Sequence, residues 1–243
     1  LAIYDPVVSS GTPGQIARFS LPERPETVGA GEFDTNVSGD ELVVVRKVVS
    51  GESSNSNGSR TIIYKQTVNN GTGANWTEHT ARNADPMWDK LSIANVDNTG
   101  IEEIAMTGED ASDDDQTKAE VYRPVGTTWQ KLYENGSSCR PPKALAFGQY
   151  FAGGFVELLQ SAVQNCSNSS IQPAFRVFTY DGTKFPEESP TFQEKFEPEP
   201  NVVFTGDITG NGDDEAILMR NVASGTAGAA RLFVRGNGDD QII

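Results

Sequence analysis

Short apolar runs alternate with polar loops along the whole chain, and the runs have the pattern of β-strands. Residues 60–64, 119–122, 175–180 and 231–235 are rich in β-branched and aromatic side chains, and Gly, Asn and Pro separate them from their neighbours. No stretch repeats its apolar positions with the helical period. The pattern therefore predicts an all-β chain of antiparallel strands joined by polar turns.

The chain contains one motif four times. Each copy has a short apolar run, a loop rich in Gly, Asn and Asp, a Glu and a second apolar run. The glutamates are Glu41, Glu103, Glu157 and Glu215, at spacings of 62, 54 and 58 residues. Further strand-like runs follow each Glu strand before the next copy begins. Four antiparallel strands in a period of this length are typical of a β-propeller blade, with the first strand of each blade lining the central channel.

The repeat predicts how the chain is divided. We expect residues 1–27 to form the last strands of a preceding blade, and residues 28–83, 84–136 and 137–197 to form three blades. Residues 198–243 are expected to form a fourth, incomplete blade. Because these strands do not add up to a closed ring, and an unpaired sheet edge is a liability, we expect a larger ring or closure by another chain.

The loops carry oxygen-bearing side chains at alternate positions, which is the donor pattern that suits Ca²⁺. The ion takes six to eight oxygen ligands from carboxylates, amides, hydroxyls and backbone carbonyls. The candidate ligands are Asp207, Thr209, Asn211, Asp213 and Glu215 in the fourth loop, Asn95, Asp97, Thr99, Ile101 and Glu103 in the second, and Glu32, Asp34, Asn36 and Glu41 in the first. Asp213 and Ile101 would contribute their backbone carbonyls.

The third loop departs from this pattern, because Phe151 stands where a ligand would be needed. Glu157 is nevertheless present in it. This leaves a second interpretation open, in which the Glu accepts backbone N–H bonds at the start of the second strand and some loops are metal-free turns.

The fourth copy, residues 207–215, reads Asp-Ile-Thr-Gly-Asn-Gly-Asp-Asp-Glu. It resembles the calcium loop Asp-x-Asp-x-Asp-Gly-x-x-Asp of FG-GAP or VCBS repeats, which occur in integrin α-subunit propellers and in many secreted propellers. Thr and Asn replace two of the acids, and Glu replaces the last. The resemblance extends over most of residues 28–243 as four degenerate copies. It implies a β-propeller stiffened by calcium.

Charge and modification signals favour an extracellular protein. The net charge of −15 disfavours nucleic acid and anionic membranes as partners, and no apolar run is long enough to span a bilayer. The first residues lack a signal-peptide pattern, so we expect any such peptide to have been removed. Asn-x-Ser/Thr occurs more often than composition explains, and we expect glycosylation at Asn57, Asn70, Asn75, Asn135, Asn165 and Asn168. Cys139 and Cys166 are expected to form a disulfide.

Other residues that could carry chemistry have structural interpretations. His79 is the single histidine, and the chain lacks a Gly-x-Ser-x-Gly elbow, so we expect His79 to pack on an outer strand. The acidic residues 109–115 are expected to form an exposed loop. Trp76, Trp88 and Trp129 could stack on sugars, but more often such residues pack blades together. We expect no enzymatic activity.

Together these features predict a secreted or cell-surface calcium-binding β-propeller module for adhesion, binding or extracellular assembly. Its partner would be a protein or glycan ligand or further copies of itself, without nucleic-acid binding or membrane insertion. Three alternatives stay open. They are a lectin-like propeller, a non-catalytic accessory region of a secreted hydrolase, and a self-assembling filament or surface-layer subunit.

Overall fold

Every regular element that the computed structural model describes is a β-strand. The described residues are 2–5, 14–18, 20–36, 41–52, 58–67, 75–84, 86–110, 113–135, 142–151, 155–164, 172–186, 192–195, 202–220, 229–235 and 240–242. Among them, no helix has the length and apolar character needed to cross a membrane.

The strands form one hairpin and four sheets of four strands each. The hairpin pairs β1 (Ala2–Asp5) with β2 (Gly14–Arg18). Sheet one contains β3 (Pro25–Gly31), β4 (Glu41–Lys47), β5 (Ser59–Thr67) and β6 (Asn75–Ala84). Sheet two contains β7 (Met87–Ala94), β8 (Glu103–Asp110), β9 (Asp113–Val125) and β10 (Thr128–Asn135).

Sheets three and four have the same plan. Sheet three contains β11 (Pro142–Gly148), β12 (Glu157–Gln164), β13 (Gln172–Thr179) and β14 (Phe192–Lys195). Sheet four contains β15 (Val202–Gly206), β16 (Glu215–Arg220), β17 (Ala229–Arg235) and β18 (Asp240–Ile242). In each sheet the strands pair antiparallel in chain order. The prediction of an all-β fold built from four-stranded antiparallel sheets is confirmed, whereas the arrangement of these sheets as propeller blades, as part of a larger ring, stays a prediction.

The four sheets share one register. The last residue of the first strand pairs with the glutamate that opens the second strand. The pairs are Gly31 with Glu41, Ala94 with Glu103, Gly148 with Glu157, and Gly206 with Glu215. Because side chains alternate between the two faces of a strand, this register makes positions equivalent from sheet to sheet and allows their residues to be compared.

The sheets stack in chain order through their first strands. β3 contacts β7, β7 contacts β11, and β11 contacts β15. The apolar core lies between successive sheets. Val43 and Val45 of sheet one pack with Ile104 and Met106 of sheet two, and similar clusters join sheet two to three and three to four. Burial of this apolar surface supplies the main driving force that holds the stack together.

The described part of the acidic segment 109–115 lies in strands, whereas we expected a loop. Glu109 and Asp110 end β8, and β9 begins at Asp113, which pairs with Asp110. Paired backbone groups in the β8–β9 hairpin therefore outweigh the low strand propensity of Asp. The expectation of a loop is therefore wrong for Glu109, Asp110 and residues 113–115, whereas the expected exposure holds for Glu109.

Several sequence predictions fall where the structure cannot address them. Cys139 and Cys166 lie outside the described residues, as do Asn57, Asn70, Asn165 and Asn168. The backbone of Asn75 begins β6, and its side chain is not described. Asn135 ends β10, and its side-chain amide lies 3.4 Å from Oε1 of Gln160. The disulfide and the glycosylation sites stay predictions.

Candidate functional site

The four repeated glutamates occupy one structural role. Each opens the second strand of its sheet, and each is at most 2% exposed. Oε2 of each carboxylate accepts a backbone N–H from the loop that precedes it. The donors are the amides of Phe33, Val96, Tyr150 and Ile208, at 2.7, 2.8, 2.9 and 2.8 Å. Such charge-assisted bonds are strong, and they offset part of the cost of burying a carboxylate.

This contact does not depend on whether a loop carries metal ligands. The third loop, with Phe151 at a ligand position, uses Glu157 in the same way as the others. The geometry therefore supports the second interpretation of the motif, in which the Glu holds the loop onto the sheet. We call Glu41, Glu103, Glu157 and Glu215 the anchor glutamates.

In the second loop, an arginine lies between the acids. Nε of Arg123 donates to Oε1 of Glu103 at 2.6 Å, and its terminal nitrogen bonds Oδ2 of Asp97. Oγ1 of Thr99 also donates to Asp97, at 2.7 Å. Burial raises the pKa of Glu103, while the Val96 amide and Arg123 act in the opposite direction. The guanidinium thus balances the two carboxylates that were candidates for Ca²⁺.

Arg123 was missed in the sequence because it comes from the third strand of its sheet. Its neighbour Tyr122 pairs with Ile104, the residue after the anchor glutamate. The residues at the position of Arg123 in the other sheets are Lys65, Thr179 and Val234. A basic residue at this position could have been recognised only with the strand register in hand. The first two sheets have such a residue, and the last two do not.

The first loop brings several acids close together. Oε2 of Glu41 accepts a second backbone N–H from Asp34 at 3.1 Å. Oε1 of Glu41 and Oε1 of Glu32 are buried and have no hydrogen-bond partner among the described residues. Burial raises the pKa of Glu41, and the charges of Glu32 and Asp34 add to that effect. Nζ of Lys65 and Nε2 of His79 each lie 3.8 Å from Oδ2 of Asp34.

Asp34 is held in place by its neighbour in the loop. The side-chain amide of Asn36 donates to Oδ1 of Asp34 at 2.8 Å, and the Asn36 backbone amide donates to the same oxygen at 3.1 Å. These bonds lower the pKa of Asp34, the side-chain bond having the larger effect. His79 lies on β6 with an 11% exposed side chain, so it packs on an outer strand near this loop.

Of the candidate aspartates Asp34, Asp97 and Asp207, the one in the fourth loop, Asp207, is the most exposed. Oδ1 of Asp207 accepts the amides of Gly210 at 2.6 Å and Asn211 at 3.0 Å, and Oδ2 accepts the amide of Gly212 at 3.0 Å. Gly210 and Gly212 have φ values of 74° and 92°. These are left-handed conformations that glycine adopts without steric cost. The loop therefore folds around the Asp207 carboxylate.

The remaining candidate ligands of the fourth loop lie close by. Oγ1 of Thr209 donates to Oε1 of Glu215 at 2.9 Å, and Oδ1 of Asn211 accepts the amide of Asp213 at 2.8 Å. Within the part of the chain that the structure describes, no basic side chain forms an ion pair with these acids. Val234 stands at the register position of Arg123.

Two acids that directly precede anchor glutamates tie neighbouring sheets together. The amide of Glu32 donates to Oε2 of Glu102 at 2.7 Å, and the Glu102 amide donates back to the Glu32 carbonyl at 2.8 Å. Asp214 makes the same pair of bonds with Gln149, at 2.8 and 2.7 Å. Val156 holds the equivalent position in sheet three and has no carboxylate to offer. These bonds connect loop one to loop two, and loop three to loop four.

The donor sets differ in how well they fit Ca²⁺. Among the described residues, no three His, Cys, Asp or Glu side chains are grouped so as to hold a metal ion. In the second loop, Arg123 already lies between Asp97 and Glu103, which makes that donor set a poor fit. The fourth loop offers carboxylate, amide and hydroxyl oxygens, and its present bonds are to backbone amides and a hydroxyl. Its chemistry fits the ion best.

Two of the three tryptophans pack sheet one against sheet two. Trp88 is fully buried in the core between these sheets. Trp129 packs edge-on against Tyr122, with ring centroids 6.2 Å apart, and its Nε1 donates to Oγ1 of Thr80 at 3.1 Å. Trp88 thus has no surface to offer a sugar, whereas Trp129 is partly exposed. Trp76 lies on β6 and is half-buried.

Comparisons with known proteins show a likeness in fold alone. No protein-family model and no curated protein matches this chain. The exotype rhamnogalacturonan lyase YesX aligns with 87% of this chain and 40% of its own, with 11% identity and a TM-score of 0.50. The Bacillus licheniformis rhamnogalacturonan lyase PL11 aligns with 85% and 45%, at 12% identity and a TM-score of 0.46. BBS1N, solved in complex with ARL6DN, aligns with 85% and 66%, at 13% identity and a TM-score of 0.40.

The chain spans less than half the length of either lyase. At 11% identity, the likeness to YesX shows a common arrangement of strands and does not extend to activity. The same arrangement of strands therefore occurs within a longer chain that is an enzyme.

Proposed function

We propose that this chain is a propeller-type binding module of a secreted or cell-surface protein, and that its fourth loop binds Ca²⁺. The observation that supports the proposal is the difference between the loops. Loop two balances its acids with Arg123, whereas loop four has Asp207, Asn211 and Glu215 without a paired basic side chain among the described residues.

The negative charge of the protein favours the binding of a cation at the fourth loop. The chain carries a net charge of −15, and Asp207 is exposed at the end of sheet four. A divalent ion there would reduce repulsion among Asp207, Asp213 and Asp214 and hold the ends of β15 and β16 together. Extracellular modules bind Ca²⁺ with dissociation constants of about 10⁻⁴ to 10⁻³ M, which suits an extracellular and not a cytosolic site.

The position of the loops supports a binding role. All four Glu-anchored loops join the first strand to the second, so they lie at the same edge of the stack. The backbone bonds of Glu102 with Glu32 and of Asp214 with Gln149 fix neighbouring loops relative to one another. A rigid acidic surface of this kind suits a protein ligand with a basic patch, or a ligand bound through the cation.

We propose a non-catalytic role for these residues. The fold does not exclude catalysis, because a rhamnogalacturonan lyase shares it. The alternative of an accessory region in a polysaccharide-acting enzyme has the support of that likeness in fold and nothing further. Cleavage of rhamnogalacturonan by the purified chain would contradict the non-catalytic proposal.

Calorimetric titration tests the calcium proposal. Ca²⁺ added to chelator-treated protein is expected to bind at one site with a dissociation constant of about 10⁻⁴ to 10⁻³ M and to raise the melting temperature. Asp207→Asn is expected to weaken binding by about tenfold or more, because it removes a charged ligand. The matched variant Asp97→Asn, in the loop that Arg123 occupies, is expected to leave binding unchanged. Equal loss in both variants, or no binding by the unmodified chain, would contradict the proposal.

A further inference from the structure

One position in the Glu-anchored loops differs in charge from sheet to sheet. It directly follows the residue whose backbone amide donates to the anchor glutamate, and we call it the loop position. Asp34 holds it in loop one, Asp97 in loop two, Phe151 in loop three and Thr209 in loop four. The first two loops therefore have a carboxylate at this position, and the last two do not.

A basic residue on the third strand accompanies each of these two carboxylates. Lys65 of β5 and Arg123 of β9 occupy the same register position, next to the partner of the residue that follows the anchor glutamate. Nζ of Lys65 lies 3.8 Å from Oδ2 of Asp34. Thr179 and Val234 hold this register position in the other two sheets. In the four sheets, the acid and the base are thus both present or both absent, which indicates that they act as a pair.

The pair in loop two has the geometry of a cation that is shared between carboxylates. Nε of Arg123 donates to Oε1 of Glu103 at 2.6 Å, and its terminal nitrogen donates to Oδ2 of Asp97. The guanidinium thus bridges two separate carboxylates and does not bind one of them with both nitrogens. The side chains of Arg123 and Asp97 are each 15% exposed, and that of Glu103 is fully buried. Water and salt therefore screen these contacts only weakly.

The second loop nevertheless contains the kinds of oxygen atoms that a metal ion binds. Oδ1 of Asn95, two residues before Asp97, is buried and has no hydrogen-bond partner among the described residues. Oγ1 of Thr99 lies 2.7 Å from Oδ1 of Asp97. Together with the carboxylate of Glu103, these side chains are the mixture of oxygen donors that Ca²⁺ accepts. The composition of the loop therefore does not explain its poor fit to the ion, whereas the presence of Arg123 does.

We propose that Arg123 is a tethered cation that takes the place of Ca²⁺ in loop two, so that this loop is ordered without a metal ion. The guanidinium stays charged at every accessible pH, and it belongs to the chain, so its contacts do not depend on the concentration of a free ion. The inference rests on the proposed function, which assigns Ca²⁺ to loop four. It follows that loss of Arg123 turns loop two into a calcium site.

Calorimetric titration of Arg123→Met in the Asp207→Asn background tests this role. The background variant weakens the proposed site in loop four, so that binding in loop two is measured by itself, and methionine retains an unbranched apolar side chain without the charge. We expect the double variant to bind one Ca²⁺ with a dissociation constant of about 10⁻⁴ to 10⁻³ M, at least tenfold more tightly than Asp207→Asn alone.

Thermal melting gives a second readout on the same proteins. In chelator, the double variant is expected to melt at a lower temperature than Asp207→Asn alone, because Asp97 and Glu103 have lost their shared cation. Added Ca²⁺ is expected to restore most of this loss, since it binds only the folded chain. A double variant that stays as unstable, or as unfolded, in saturating Ca²⁺ as in chelator would overturn the proposal.

Three controls in the same background locate the new site. Addition of Asp97→Asn to the double variant is expected to abolish the gain in binding. Arg123→Lys keeps a cation in the loop and is expected to gain no binding. Lys131→Met is the matched variant, because Lys131 also bridges two carboxylates of sheet two, those of Glu120 and Glu134 at 2.8 and 2.7 Å, outside the loop. It is expected to lose stability without gaining a calcium site.

The results separate this inference from the calcium site in loop four. No gain of binding on loss of Arg123, a gain that persists with Asp97→Asn, or an equal gain in Lys131→Met would overturn the role of Arg123. Absence of calcium binding by the unmodified chain would contradict the site in loop four instead. The comparison of the double variant with Asp207→Asn alone answers independently of that result.

Discussion

At the scale of single residues, the same buried glutamate behaves differently in different loops. Both carboxylate oxygens of Glu103 accept hydrogen bonds, one from the Val96 amide and one from Arg123. One oxygen of Glu41 accepts backbone amides, and its other oxygen is buried and has no partner in the part of the chain that the structure describes. The cost of a buried charge is therefore compensated in loop two and only partly compensated in loop one.

Replacing each of these glutamates by glutamine should separate the two cases. In chelator at neutral pH, Glu103→Gln is expected to lower the free energy of unfolding by about 2 kcal/mol, because Arg123 loses a charged partner. Glu41→Gln is expected to change it by less than about 1 kcal/mol or to raise it, because the amide oxygen can still accept the Phe33 amide and a buried charge is removed. Urea unfolding measures both. Equal destabilisation would mean that the unpartnered oxygen of Glu41 is compensated in some other way.

The contact between Glu52 and Arg46 predicts how the folding stability depends on pH. Arg46 donates to Oε2 of Glu52 at 2.7 Å, and this contact lowers the pKa of Glu52 from 4.5 to about 2. Since the pKa is lower in the folded state, the stabilisation is present above about pH 4.5 and is lost as the pH falls toward 2. The difference in unfolding free energy between the unmodified chain and Glu52→Gln is expected to shrink over that interval. A difference that does not change with pH would contradict the contact.

At the scale of elements, the loops are tied both to their own sheet and to the neighbouring sheet. The anchor glutamates make the first kind of tie, and Glu102 and Asp214 make the second. Sheet three has Val156 at this position, and a different contact joins sheets two and three, in which the Phe185 amide donates to the Leu132 carbonyl at 3.0 Å. Aromatic packing of Phe185 with Tyr133 and Phe147 adds to that junction.

Removal of the Asp214 carboxylate tests the second kind of tie. Asp214→Ala is expected to cost about 1 to 2 kcal/mol, because the Gln149 amide loses a charge-assisted bond. Asp214→Asn should cost less, since its amide oxygen can still accept that bond. Hydrogen exchange at Gln149 is expected to become faster in the alanine variant. Asp213→Ala, in chelator, is the control, because the described bond of Asp213 uses its backbone amide.

At the scale of the whole molecule, the repeat in the sequence predicted more of the fold than of the site. The spacing of the anchor glutamates and the strand-like runs after them indicated four similar sheets, and four-stranded antiparallel sheets are present. Each Glu could be found because it is local to its loop. The part played by Arg123 depends on the register of a third strand that follows a loop of variable length, and it was therefore not visible in the sequence.

The same limit applies to the surfaces. Phe204 stands in an apolar run like its equivalents, and its exposure depends on which sheet lies beyond it. Likewise, the Asp and Asn residues of the loops look alike in the sequence whether they face a basic side chain or solvent. Among the described residues, the pairing of charges across strands, which the loop composition does not encode, distinguishes the second loop from the fourth.

A crystal structure determined with millimolar Ca²⁺ would test the central claim most directly. We expect an ion, identified by its anomalous signal, bound to the fourth loop through Asp207 and its neighbours, while Arg123 stays between Asp97 and Glu103 in the second loop. An empty fourth loop under these conditions would contradict the account. So would an ion in the second loop with Arg123 displaced.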